Sequence, residues 1–147
     1  MRGTDDPLLR ENFALLFAIR VIFIGFVQKK GWLGGNRGFL SDFLKEYQQT
    51  TKELDCFYRD WLEPLFFEAL NHAPGYYAYG GKPYSSKTIE ILQNSPFLNG
   101  ELFKRKFEID DIGLYLPDKP IIEFMDFLFK YNFTVEENRL YDEELEL

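Results

Sequence analysis

Apolar residues recur along this chain at spacings of three, four and seven, and four stretches carry the pattern strongly enough to predict helices. The densest is Cys56–Asn71, where Phe57, Tyr58, Trp61, Leu62, Leu65 and Phe66 form one broad apolar face and Arg59, Asp60, Glu63 and Glu68 fall largely opposite. Pro64 interrupts it. A proline has no N–H for the carbonyl one turn back, so the pattern predicts a kink there, or two helices meeting with Pro64 opening the second. Ahead of it, a helix is expected from about Leu8 to Lys30, apolar nearly all round, which places it at the centre of a bundle. Gly31 supplies its left-handed cap. A second helix is expected over Phe39 to about Thr51, a short one from Ser85 or Ser86 through Gln93, and a last one from Pro120 to about Tyr131 with Asp118 as its cap.

Between these lie segments without helical period. Gly31–Gly38, GWLGGNRG, reads as a turn whose glycines do not have the dinucleotide-binding spacing. His72–Lys82 alternates Pro, Gly and Tyr and reads as an extended surface loop. Asn99-Gly100 marks a tight turn between apolar flanks. Short strands are expected around Phe107–Ile109 and Leu114–Leu116, and a terminal hairpin around Glu137-Asn138. The predicted fold is therefore mainly α: a compact bundle of about five helices with a small β-hairpin element in the C-terminal third, forming a single domain over residues 1–147.

Composition narrows the class. Sixteen Phe and an aromatic content of 18% favour a packed core over a disordered adaptor. A single cysteine leaves no internal disulfide, which fits a reducing, cytoplasmic setting. The run Phe13–Val27 holds 15 residues with Arg20 in the middle, and a membrane span needs about 20, so a buried helix is the better reading. Acidic Asp5, Asp6 and Glu11 stand where a signal peptide needs basic residues. The net charge of −7 is uneven: residues 1–106 carry 14 Lys/Arg against 12 Asp/Glu, whereas residues 107–147 carry 3 against 12. Only the first part could face a phosphate backbone, and it lacks the dense basic stripe of an autonomous nucleic-acid binder.

Candidate chemistry is sparse. His72 is the only histidine and Cys56 the only cysteine, so a zinc site lacks ligands, and His72 reads as a residue at a helix C-terminus and Cys56 as a small apolar one. Asp110-Asp111 could join a Mg²⁺ site but reads more simply as a solvated pair. No Asp or Glu stands two residues before any lysine, which removes half of the common metal-dependent nuclease motif. Lys104-Arg105-Lys106 could grip a phosphate, although Glu101 and Glu108 flank it. Lys29, Lys30 and Arg37 bracket the glycine turn, where backbone could approach phosphates closely. Tyr76, Tyr77 and Tyr79 could stack bases or cover an adjoining apolar surface.

The ordered series QKKGWL (Gln28–Leu33), FYRDWLEPLFFEALN (Phe57–Asn71), PFLNGELF (Pro96–Phe103) and FLFKYNFTVEEN (Phe127–Asn138) resembles the region just upstream of the methyltransferase domain in bacterial restriction-modification enzymes. These are the adenine-specific DNA methyltransferases of the Eco57I-like and type IIG kinds, which act in phage defence. The resemblance implies a non-catalytic helical connector, an excised fragment of a larger enzyme, with DNA and the adjoining methyltransferase and nuclease domains as partners. Its family motif positions here are Gly31, Trp32, Leu33, Asn99 and Gly100, expected to fix turns and docking surfaces. S-adenosylmethionine, and Mg²⁺ where a nuclease is fused, would belong to the parent enzyme, since no Asn-Pro dipeptide occurs here and the family's catalytic tetrad begins with one. A free-standing protein–protein interaction module and an independent enzyme are the alternative classes.

Overall fold

The computed structural model describes residues 6–98, 100–111 and 115–130. Helix α1 runs Pro7–Lys29, with Pro at its first position and the Asp6 carboxylate accepting from the Leu8 N–H at 3.0 Å. It ends in a Schellman turn: Gly31, at φ +79°, donates to the Gln28 carbonyl and Trp32 to that of Val27. Helix α2, Phe39–Thr50, follows. The central stretch winds as two π-helical segments, π1 (Tyr58–Leu62) and π2 (Pro64–Ala69), joined through Glu63. Helix α3 is Ser86–Gln93, α4 a single turn at Phe107–Asp110, and α5 Asp118–Phe129.

The π-helical stretch is the middle of the core, as its apolar face predicts: Phe57, Trp61, Leu62, Leu65, Phe66 and Leu70 are fully buried. Around Trp61 pack Phe43, Tyr47, Phe57 and Tyr84, with centroids 4.7–6.4 Å away. Around Phe66 pack Phe17, Tyr58, Phe67 and Phe103. Two helical segments meet here with Pro64 at the first position of the second, as the sequence allows, but both are π-helical and not α. In an α-helix Pro64 would leave the Asp60 carbonyl without its donor and would press its ring against it. Here the turn is wider, with Glu63 donating back to Tyr58 and Leu70 to Leu65, and the Asp60 carbonyl accepts the Tyr84 hydroxyl at 2.6 Å.

The C-terminal third departs from expectation. Among the described residues there is no strand, and Tyr115 contributes only an isolated bridge. Phe107–Ile109, read from sequence as a strand, forms helix α4, and Phe107 is 79% exposed, so it supplies no apolar face for a sheet to bury. What winds the turn is Asp110, whose carboxylate accepts from the Lys106 N–H at 2.6 Å while its own N–H returns to the Lys106 carbonyl. That carboxylate is in turn gripped by Arg20 of α1 at 2.8 and 3.1 Å. The Arg20 guanidinium also donates to the carbonyls of Leu102 and Lys104, at 2.8 and 3.0 Å, and lies 4.8 Å from the Phe67 centroid. The two side chains are 1% and 0% exposed, so Asp110 is an interior ion-pair partner and not a solvated loop residue. Leu114 and the Glu137-Asn138 hairpin lie outside the described residues.

Asp118 opens α5 but does not cap it. Its carboxylate accepts from the N–H groups of Asp55 and Phe57 and from the Tyr47 hydroxyl at 2.6 Å, while its own N–H donates to Asp55. It therefore satisfies the orphan donors at the entry to π1, a contact across 61 residues that helix-local pattern reading cannot see.

Helix α1, at 23 residues, is long and apolar enough to cross a membrane by length and composition. Its apolar character has another source, because Phe13, Phe17, Val21 and Ile24 form the core contact and Arg20 is tied into the protein. It is not central, however: only one side is buried, and Leu8, Leu15 and Ile19 face solvent.

Two outcomes follow from this packing. Removing one partner of a buried ion pair leaves the other charge uncompensated, so Asp110→Ala should cost about 3–5 kcal/mol in urea denaturation. The joint change Arg20→Met with Asp110→Leu should cost much less, and equal losses would refute the pair's role. Burial pushes the hydroxyls of Tyr47, Tyr58, Tyr79 and Tyr84 well above the ordinary tyrosine range, with the Asp118 hydrogen bond adding to this at Tyr47. The folded state then keeps protons that the unfolded chain loses, so stability holds below about pH 10 and falls as pH rises past it. A tyrosinate absorbance titration should show a late component that coincides with loss of helical circular dichroism. Ionisation of all nine tyrosines in one early step, with the helix signal intact, would overturn this.

Candidate nucleic-acid interface

The turn after α1 is built by its glycines and by one buried amide. Gly31, Gly34 and Gly35 all adopt positive φ, and Gly34 lies so close to α3 that an added Cβ would stand 2.6 Å from the Ile91 side chain. Gln28 is buried, and its side-chain oxygen accepts the Leu40 N–H at 2.9 Å, fixing where α2 begins. Asn36 accepts from the Gly38 N–H and donates to Asp42. Within the motif Gly31-Trp32-Leu33, Leu33 is fully buried and Trp32 half-exposed, with the Lys30 ammonium 5.5 Å from the Trp32 ring.

These constraints bring Lys29 and Arg37 to the rim of one cleft of about 280 Å³, which is also lined by Ile22, Gly25, Ser41 and Leu128. The first turn of α2 opens into it at Gly38 and Ser41. Backbone N–H groups at a helix start, together with the positive end of the dipole, favour an anion there. Sequence reading found the two cations but missed Ser41 and the capping role of Gln28, because both depend on how α2 lies against α1.

The second basic group is arranged differently. Arg105 pairs with Glu63 and, at 2.6 Å, with Asp111, and its guanidinium lies 4.5 Å from the Phe67 centroid. Lys104 reaches Glu101 at 3.3 Å, and Lys106 donates to the Glu101 carbonyl at 2.7 Å. Burial raises the Glu63 carboxyl, partly offset by Arg105. Each of these three cations thus has a carboxylate or carbonyl partner within the fold. Asn99 lies outside the described residues, and Gly100 has open space around it.

His72 stacks on Tyr76 at 4.6 Å, with its Nδ1 3.3 Å from the Glu68 carbonyl, and Tyr77 meets both rings edge-on. Tyr76 is the exposed member, while Tyr79 is buried at positive φ against Tyr84. Within the tyrosine loop, Tyr79 covers the core, while Tyr76 is exposed with one face against His72. Glu53, Cys56 and Asp60 bring ligand atoms within 4.8 Å of one another. Burial pushes the Cys56 thiol up, which disfavours the thiolate a metal or a nucleophile needs. The Asp60 carboxyl is held low by its two hydrogen bonds from Arg59.

The glycine turn yields a direct test. Gly34→Ala should destabilise the chain by about 1–2 kcal/mol more than Gly35→Ala, since both carry the left-handed backbone cost but only the first meets Ile91. Equal midpoints in thermal unfolding would refute the packing of this turn on α3.

No model of a known protein family matches the chain, and no solved structure does. One relative of known name does: a protein of Methanocaldococcus jannaschii provisionally named a type II restriction enzyme and methyltransferase, 30% identical over 143 residues. The match takes in 97% of this chain and 11% of that relative, so the chain is similar along nearly its whole length to about a tenth of a restriction and methylation protein.

Proposed function

We propose that this chain is a non-catalytic helical connector of a restriction-modification polypeptide, holding an adenine-specific DNA methyltransferase domain, and an endonuclease where one is fused, in position on DNA. The carrying observation is the near end-to-end similarity to a small part of a much larger relative whose name joins restriction to methylation. The helical architecture supports the reading, and so does the order of the four motifs. On this reading S-adenosylmethionine, Mg²⁺ and the catalytic groups belong to other parts of the polypeptide, which works in the cytoplasm. The chain's own contribution is a rigid body with a basic corner.

That corner is the cleft between α1 and α2. Lys29 and Arg37, which line it, and the neighbouring Lys30 would contact backbone phosphates, with Ser41 and the start of α2 supplying further donors. Lys104, Arg105 and Lys106 are the weaker point, because their internal partners must be given up first. A free-standing interaction module remains the second reading, favoured by the outward apolar residues of α1.

The reading frame decides between them. A continuation past Leu147 into a glycine-rich strand-turn-helix and an Asn-Pro-Pro-aromatic tetrad supports the connector, and a native stop there supports the module. In the intact polypeptide, changing Lys29, Lys30 and Arg37 together to Ala should weaken cognate and random DNA alike and reduce the salt slope by up to about 3. Residues 1–147 alone should bind no tighter than about 10⁻⁴ to 10⁻⁶ M. Nanomolar, sequence-selective binding by that stretch would overturn the connector reading, and an unchanged salt slope would remove the phosphate role of the corner.

A further inference from the structure

Helix α1 carries a second apolar face, which stays exposed among the described residues. The second face follows Leu8, Asn12, Leu15 and Ile19, in steps of four, three and four residues along the helix. That is the a/d seam into which a second helix sets its knobs. Leu8, Leu15 and Ile19 are 63%, 62% and 44% exposed, large apolar side chains on one side of the helix. Asn12, the one polar member, stands at an a-type position, where a single amide fixes register and partner at some cost in stability. Leucine and isoleucine offer no charge or hydrogen bond to a phosphate backbone, so Leu8, Leu15 and Ile19 do not suit the phosphate contacts proposed for the corner. The cations of the basic corner, Lys29 and Arg37, lie at and beyond the helix's far end.

Resting on the connector reading, we infer that the Leu8–Ile19 face of α1 is the docking surface for an amphipathic helix of the neighbouring domain in the same longer polypeptide. The 3-4 spacing selects a helix as the occupant. The relative's length says where that helix comes from, since nine-tenths of it lies outside the matched region, and a connector must be gripped by what it connects. A second copy of this chain is the weaker occupant, because each copy carries −7 and pairing sets like charge against like.

Cysteine reactivity tests this. Native Cys56 is 2% exposed, so thiol labelling reports on introduced residues. Leu15→Cys and Ile19→Cys should react quickly with a maleimide in residues 1–147 and at least about tenfold more slowly in the intact polypeptide. Leu54→Cys, 79% exposed and in the segment between α2 and π1, should react alike in both. Equal rates at positions 15 and 19 in an intact polypeptide that methylates DNA would overturn this surface while leaving the connector reading in place. A reading frame without further domains would overturn both. Slow labelling already in residues 1–147 also refutes the proposal: light scattering would then show a dimer if a second copy covers the face, or a monomer if the chain covers it itself.

Discussion

The guanidinium of Arg20 sits where water cannot reach it, and the placement of residues 102–110 follows from where its N–H groups point. Taking such a charge into the interior costs several kcal/mol unless its donors are filled. The fold fills them with a bidentate carboxylate and two carbonyls from one short loop. The loop, lacking strands and holding only one helical turn, is thereby specified from a distance. Arg20 holds both oxygens of the Asp110 carboxylate and the Lys106 N–H donates to one of them, so the ion pair and the α4 turn share a single acceptor group. Phe67 lies under the Arg20 guanidinium and that of Arg105, which extends the same arrangement onto the central helix.

Much of the helical architecture was legible because it is local. The α1 cap at Gly31, the cap of α3 at Ser85 and the buried face of Phe57–Leu70 all follow from spacing and turn chemistry. What was not legible depends on partners far along the chain. Arg20 read as a reason against a membrane span, and nothing in its surroundings announced Asp110. Phe107–Ile109 read as a strand because three residues cannot distinguish a period of 2 from one of 3.6. Pro64 marked an irregularity correctly, but the wide turn that absorbs it depends on Tyr84, twenty-four residues on. Of the candidate site, the cations Lys29 and Arg37 were visible as residue types; their shared cleft was not, because it is made by α2 and α5 lying against α1.

The two unsatisfied surfaces of the molecule differ in chemistry. One is a small polar corner built from a helix start, a hydroxyl and basic side chains; the other is an exposed apolar stripe over Leu8–Ile19 with a single amide. The connector proposed for this chain would use both kinds, one to meet a charged polymer without reading it and one to meet a protein neighbour in fixed register. The separation follows from α1 itself, which carries the stripe in its N-terminal part and the corner at its C-terminal end.

The long reach of two polar contacts bears on how the chain is made. Arg20 waits for a partner 90 residues later, and the entry to the central helix waits for Asp118, 61 residues on. A ribosome emits residues in order, so α1, α2 and the aromatic heart of the core leave the exit tunnel before either contact can close. During that interval a guanidinium and a set of backbone donors remain bound to water inside what will become the interior. A chain ending before residue 110 has no carboxylate for Arg20, and one ending before residue 118 has none for the donors of Asp55 and Phe57.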